Sequence, residues 1–320
     1  MKILVAGGAG YIGSVLVPKL LERGYEVNVV DLLWFGNHLP DEVTVIEQNI
    51  VDLREKDLEG YDQIIFLAGL SNDPMAEYSP AMNFIENGSV PAYLAYIAKQ
   101  SGVKRFIYGN SCSIYGYTVN ELYDETMPTV SSYPYGISKL QGEFASMQLK
   151  DDNFSVISLR QGTVSGYSPR MRFDLIVNTM FKSAVSTREI IVNNPAIWRP
   201  ILAIQDAIAG YVRAVEANDN LSGIFNIASG NFTVGEVADY VRAAVKKYLD
   251  IDTKIIIKHI HDYRNYKVSI QKIMDMLSYK PINNIESIVK ELVEHLESFN
   301  DFEDESYYNI NTFKKLLSDK

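Results

Sequence analysis

The 320-residue chain has one cysteine, Cys112, only four histidines, no apolar run long enough to span a bilayer, and fewer basic than acidic side chains. Each shortage removes a class of protein. A lone thiol excludes an intrachain disulfide, and one cysteine with four scattered histidines offers no zinc spacing, so no metal is expected. A reducing, cytoplasmic setting fits. Without a stretch of roughly 18 apolar residues there is no candidate membrane helix. Met1-Lys2 runs through Ile3-Leu4-Val5-Ala6 straight into glycines, too soon for a secretory core, so folding is expected to start at the first residues. Thirty Lys+Arg against 40 Asp+Glu give a net charge of −10, which argues against nucleic acid or an anionic membrane as partner.

What is present is a rhythm. After Gly7-Gly8-Ala9-Gly10, the residues Ile12, Val15, Leu16, Leu20 and Leu21 recur at helical spacing, and Gly24 closes the segment as a C-cap. Residues 25–31 read as a second strand. Further strands are expected at 43–46, 63–67, 104–108 and 155–159, separated by stretches long enough for crossover helices. This order predicts an α/β fold with a Rossmann-type, doubly wound parallel sheet covered on both faces. Beyond about residue 160 the alternation loosens. Strands at 190–192, 224–227 and 255–258 sit among helices near 174–187, 205–217, 234–249, 269–278 and 285–298. We therefore expect a dinucleotide-binding domain over 1–162, a smaller interleaved α/β substrate lobe over 163–298, and segments near 189–228 that partly return to the first sheet. The tail, 299–320, carries Asp301, Glu303, Asp304 and Glu305. With Tyr307-Tyr308 and a short helix ending in Lys314-Lys315-Leu316-Leu317, it is expected to be a solvated or loosely docked extension, an oligomer contact being the other reading.

Gly7, Gly10 and Gly13 space a sharp strand-to-helix turn in which the backbone can approach a diphosphate and amides at the helix N-terminus face the anion. Asp31 follows at the end of the next strand, where an acid hydrogen-bonds ribose hydroxyls and repels a 2′-phosphate. The expected cofactor is therefore NAD rather than NADP. Tyr11 and Ile12 belong to the same turn, and Asn49-Ile50 fall where an adenine contact is expected. Asp52 reads as a surface or helix-start residue.

A second pattern is Tyr133-Pro134-Tyr135-Gly136-Ile137-Ser138-Lys139. If a helix starts at Pro134, Tyr135 and Lys139 project from one face. A phenol must fall by about three pKa units to act as a base near neutrality, roughly 4 kcal/mol of differential stabilisation. An adjacent ammonium and an oxidised nicotinamide supply that kind of charge. Gly109-Asn110-Ser111-Cys112-Ser113 follows the strand at 104–108, at the end of a parallel sheet where ligands bind. Ser111 could bridge a substrate hydroxyl and Tyr135, while Ser113 either competes for that role or satisfies the turn.

Taken together, GGAGYIGS, Asp31, Leu67-Ala68-Gly69, Asn87, NSCSIYG, YGISK and Leu159-Arg160 resemble the extended short-chain dehydrogenase/reductase superfamily in its nucleotide-sugar epimerase/dehydratase branch, over about residues 1–297. The resemblance implies that Tyr135 removes a sugar hydroxyl proton, usually at C4, while hydride passes to NAD. It implies that Lys139 holds the nicotinamide ribose and lowers the phenol pKa, and that Ser111 orients the hydroxyl. Leu67, Ala68, Gly69 and Asn87 fall at cofactor positions. Ser113, Thr163, Arg172, Asn178, Arg199 and Arg264 fall at substrate positions, Arg199 facing the diphosphate with Arg170, Arg172 and Arg264 as further candidates. It also implies a homodimer built on helices near 89–101 and 134–149, whose apolar positions include Leu94, Ile97, Ala98, Phe144 and Met147.

In 4,6-dehydratases an Asp-Glu pair follows the serine, because elimination needs a further acid and base. Here Cys112 and Ser113 stand there, so dehydration is disfavoured. A 4-epimerase of the UDP-glucose 4-epimerase type needs only Tyr135 and the cofactor. Thr163, where an asparagine is common, and Leu70-Ser71-Asn72-Asp73-Pro74 depart from typical epimerases. Ser168-Pro169-Arg170-Met171-Arg172-Phe173-Asp174 is similar to nucleotide-heptose 4-dehydrogenases. A dehydrogenase or keto-sugar reductase is therefore the alternative reading, and a non-catalytic dinucleotide-sensing module the alternative class.

Overall fold

Along the first strand, Lys2–Ala6 (β1), the side chains alternate between two buried populations: Ile3 and Val5 join one core cluster, Leu4 and Ala6 another. This period of two marks a strand covered on both faces. The computed structural model describes residues 1–258, 264–299 and 301–318. In it β1 is joined by Glu26–Asp31 (β2), Thr44–Glu47 (β3), Gln63–Phe66 (β4), Arg105–Ser111 (β5), Ser155–Gln161 (β6) and Gly223–Ile227 (β7). All neighbours are parallel, in the order β7-β6-β5-β4-β1-β2-β3. The chain winds outward from β1 to β3, returns to lay β4 on the other edge of β1, and winds outward again. The switch point thus lies between β1 and β4, and the loops leaving their carboxyl ends form the two banks of a cleft.

Helices Gly13–Glu22 (α1), Val90–Gln100 (α2), Pro134–Met147 (α3) and Ile204–Val215 (α4) cover the sheet. Leu16, Leu20, Ala207 and Tyr211 share a core with Ile3, Val5 and Ile107 on one face; Leu94, Ala98 and Met147 share another with Leu4, Phe66 and Phe106. Pro134 opens α3 because a proline lacks the amide that a first turn leaves unused. Leu94, Ile97, Ala98 and Met147, which fitted a dimer face and an intramolecular core equally well, are buried within the subunit; Phe144 is exposed.

The second half departs from expectation in detail. The return to the central sheet is made by α4 and β7, whereas Glu189–Asn193 pairs with Lys254–Lys258 in a separate two-stranded sheet. Its alternation of exposed and buried residues explains this, since a central strand must be apolar on both faces. Trp198–Ala203 pairs with Thr163–Ser165 and Gly230–Thr233, and Tyr117–Tyr123 leaves the first half to pair with Asn265–Val268.

The tail has the expected short helix but differs in being firmly docked. It ends in a helix, Asn309–Ser318 (α5), whose Phe313 is fully buried against Leu70 and Met75 and stacks on Trp34 with centroids 5.9 Å apart. Upstream, Phe299, Phe302 and Tyr307 surround Phe173. The tail is therefore docked by aromatics that stand in sequence among charged and polar residues. Among the described residues no helix is long and apolar enough to cross a membrane, and no cluster of His, Cys, Asp or Glu is suited to a metal.

Candidate active site

The cleft at the switch point encloses about 830 Å³. One bank is the glycine turn. Gly7 has φ +80°, and a Cβ there would lie 2.5 Å from the Ala68 amide nitrogen; a Cβ on Gly13 would lie 2.2 Å from the Gly8 carbonyl oxygen. Only glycine fits at either position, so the backbone itself forms the wall and α1 opens towards the cleft. Gly7, Gly10, Tyr11, Ile12 and Gly13 line it, with Leu67, Ala68 and Gly69 on the opposite bank and Asn49 and Ile50 at the edge beyond β3. Asp31 accepts hydrogen bonds from the amides of Ala9 at 3.0 Å and Leu33 at 2.9 Å, and burial raises its carboxyl above the usual range. The cradle that a Cβ would fill and the acid beside it fit an adenine dinucleotide.

The other chemical group gathers where β5 ends. Ser111 caps the turn Cys112–Tyr115: its Oγ accepts from the Ser113 amide at 3.2 Å and the Ser113 hydroxyl at 2.9 Å. The Tyr135 phenol, in the first turn of α3, faces the same cleft as Ser111. Burial holds that phenol well above the ordinary tyrosine value, and the Asp73 charge adds to this; Arg172 and Ser111 pull the other way. Lys139, one turn on, donates to the Gly109 carbonyl at 2.8 Å and lies 4.8 Å from the Tyr108 ring centroid; burial lowers it to about 7. Because the folded state binds this proton more weakly than the unfolded chain, stability of the cofactor-free protein should rise with pH from about 7 to the ordinary lysine range. In Lys139→Met that rise should be absent from urea midpoints measured across the window.

Continuing the same four-residue stripe, Glu143 is fully buried. It accepts from Arg160 Nη2 at 2.6 Å and Nε at 3.0 Å, from Asn110 Nδ2 at 2.6 Å and from the Ser158 hydroxyl at 2.8 Å. Asn110 Oδ1 in turn accepts from the Ser111 amide at 2.7 Å. The sequence reading missed Glu143, although the spacing 135, 139, 143 carried the signal.

On the lobe side, Ser113, Thr163, Arg172, Arg199 and Arg264 all line the cleft. Arg172 is held by Asp174 through bonds of 2.8 and 2.9 Å, Arg264 by Asp73 at 2.5 Å, and Arg199 by the carbonyls of Trp198 and Arg264. Two expected contacts lie elsewhere. Asn87 is behind the β4 loop, donating to the Leu70 carbonyl at 2.9 Å and to Asn83. Asn178 bridges Gly166, the Arg172 carbonyl and the Tyr11 hydroxyl. Both are fully buried because they satisfy polar groups of neighbouring loops, so they shape the walls without lining them. Trp34, Phe35, Asp73, Asp174, Tyr266 and Asn309 line the cleft and were not foreseen.

Comparison with known proteins agrees with this geometry. The model of a family described as "NAD dependent epimerase/dehydratase family" matches residues 3–228. The chain is 27% identical to a UDP-glucose 4-epimerase of Corynebacterium glutamicum over 76% of its length and 80% of that protein's. It is also 27% identical to UDP-glucuronic acid decarboxylase 3 of Arabidopsis thaliana, over 88% and 84%. Among solved structures, UDP-glucose 4-epimerase of Thermotoga maritima with UDP-glucose is 26% identical with a TM-score of 0.80, covering 94% of this chain and 100% of that one.

Proposed function

Given that the chain belongs to the NAD dependent epimerase/dehydratase family, and so to the enzymes of the extended short-chain dehydrogenase/reductase type, we propose that it is a nucleotide-sugar 4-epimerase working through Tyr135. Ser111 orients the C4 hydroxyl, and Tyr135 takes its proton. Bound NAD supplies the hydride acceptor for C4. The glycine turn would hold the cofactor's diphosphate, Asp31 its adenosine ribose, Leu67, Ala68, Gly69, Asn49 and Ile50 the flanks of the dinucleotide, and Lys139 the nicotinamide ribose. Lys139 also contributes the positive charge that draws the phenol down from its buried value. Arg199, assisted by Arg172 and Arg264, meets the substrate diphosphate, with Thr163 and Ser113 beside the sugar. After the keto sugar turns over in the cleft, C4 would take its hydride back on the other face as Tyr135 returns the proton to the C4 oxygen.

The observation that carries this reading is the juncture of Ser111, Tyr135 and Lys139 with Cys112 and Ser113, rather than an acid pair, directly after Ser111. Cys112 is fully buried, its thiol donating to the Arg160 carbonyl at 3.1 Å and pushed up by burial, and Ser113 is bonded to Ser111. Neither serves as the second acid or base that elimination requires. In the cytoplasm, where we place it, the enzyme would work as a homodimer whose second copy covers the outer faces of α2 and α3, where Tyr96 and Phe144 are half exposed; light scattering checks the mass.

The test is product NMR after incubation with C4-deuterated UDP-, GDP-, CDP- and dTDP-sugars and a trace of NAD. The expected product is the C4 epimer with deuterium retained at C4. Complete reduction of the added NAD to its C4-deuterated form, with turnover continuing only as more NAD is supplied, would instead identify a 4-dehydrogenase or, in reverse, a keto-sugar reductase. A 4-keto-6-deoxy product would identify a dehydratase, and NAD binding without turnover a sensing module.

A further inference from the structure

Arg170 is buried to 3% exposure, yet its Nε and Nη1 have no protein partner. Nη2 donates to Asn309 Oδ1 at 2.5 Å, and the guanidinium rests 3.6 Å from the centroid of the Phe35 ring. It lines the cofactor cleft together with Asp31 at the end of β2 and Gly7, Gly10 and Tyr11 of the glycine turn. Among the described residues no carboxylate reaches it as an ion-pair partner. Burial holds its pKa down to about 9. A cation desolvated in this way is costly unless an anion joins it.

Asn309 begins α5, the last helix, outside the span matched by the family model. Besides holding Arg170, it donates from Nδ2 to the Ser71 hydroxyl at 2.5 Å, on the bank that follows β4. One turn further, Phe313 is anchored between Trp34, beyond β2, and Leu70 and Met75, beyond β4. Ile310 lines the cleft between these anchors. The tail therefore crosses from one bank of the switch-point cleft to the other and touches the lobe through Arg170. We propose that Arg170 binds the diphosphate of the dinucleotide from the side opposite the glycine turn, and that the C-terminal segment, through Asn309, is the strap that sets Arg170 and retains the cofactor between turnovers. This rests on the proposed cofactor site but not on the sugar chemistry.

Asn309→Asp in the full-length chain separates this role from a purely structural one. A carboxylate at that position would pair with Arg170 and keep the tail docked, while satisfying the charge meant for the phosphate. NADH, titrated by its fluorescence, should bind about 10- to 100-fold more weakly, although the thermal midpoint of the cofactor-free protein holds or rises. Arg170→Met should weaken NADH to a similar degree and leave the binding of adenosine, which has no phosphate, unchanged. Unaltered NADH affinity in Asn309→Asp, or an equal loss of adenosine and NADH in Arg170→Met, would overturn the assignment. None of these measurements requires turnover, so failure of the epimerase reading would leave them interpretable.

Discussion

Tyr135→Phe should lower the rate of hydride transfer by about 10²- to 10⁴-fold, the usual contribution of a positioned acid or base, with NAD affinity nearly intact. The ring and its packing are kept; only the hydroxyl is lost. Burial raises the phenol in the cofactor-free protein, while Lys139, itself lowered to about 7 by the same burial, sits one turn away. A phenol that high is a poor base at neutrality, so catalysis depends on positive charge acting on it in the loaded site. The rate of the first half-reaction should accordingly rise with pH as Tyr135 loses its proton. Lys139→Met should move that rise to higher pH, because it deletes a charge that favours phenolate. Single-turnover NADH absorbance reads both variants, and retained turnover in Tyr135→Phe would remove Tyr135 from its proposed role.

The parts of this molecule legible in its sequence are those where one local segment decides the outcome. The glycine turn, β1 and β2 declare themselves because a strand buried on both faces must be apolar throughout, and the turn tolerates no Cβ at Gly7 or Gly13. The juxtaposition of Tyr135 and Lys139 follows from helical spacing alone. Glu189–Asn193 was harder to place because a half-exposed strand can pair with any edge of matching pattern, and only the fold brings Lys254–Lys258 beside it. Asn87 and Asn178 came by resemblance, which gives a position in a pattern but not the carbonyls that the side chain must satisfy. The tail was least legible. Phe299, Phe302 and Tyr307 stand among acids and Phe313 beside two lysines, and their partners, Phe173, Trp34 and Leu70, come from distant segments. The surroundings of Arg170 are likewise drawn from β2, the lobe and the last helix, so no window of sequence contains them.

Glu143→Ala should cost about 3–5 kcal/mol of stability, the range expected when one partner of a buried ion pair is removed. Arg160 would keep its charge, 2% exposed, with Tyr115 at 2.7 Å from Nη1 and no carboxylate in place of the one it lost. The effect on function is separable from the effect on folding. Glu143 also receives Asn110 Nδ2, and Asn110 Oδ1 holds the amide of Ser111, so the buried acid positions the serine without touching substrate. Replacing both partners by apolar residues, as in Glu143→Leu with Arg160→Met, should recover much of the stability, since the stranded charge is gone. The double variant should nevertheless remain slow in hydride transfer, because Asn110 keeps only the distant Ser158 hydroxyl, at 3.5 Å, as acceptor and so holds the Ser111 backbone less firmly. Urea unfolding of the single and double variants, set beside single-turnover rates, measures the two effects independently. A single variant that unfolds within roughly 1 kcal/mol of wild type would mean that water or a rearranged Asn110 compensates Arg160. A double variant with full activity would mean that Ser111 is placed by its own turn rather than by the buried pair.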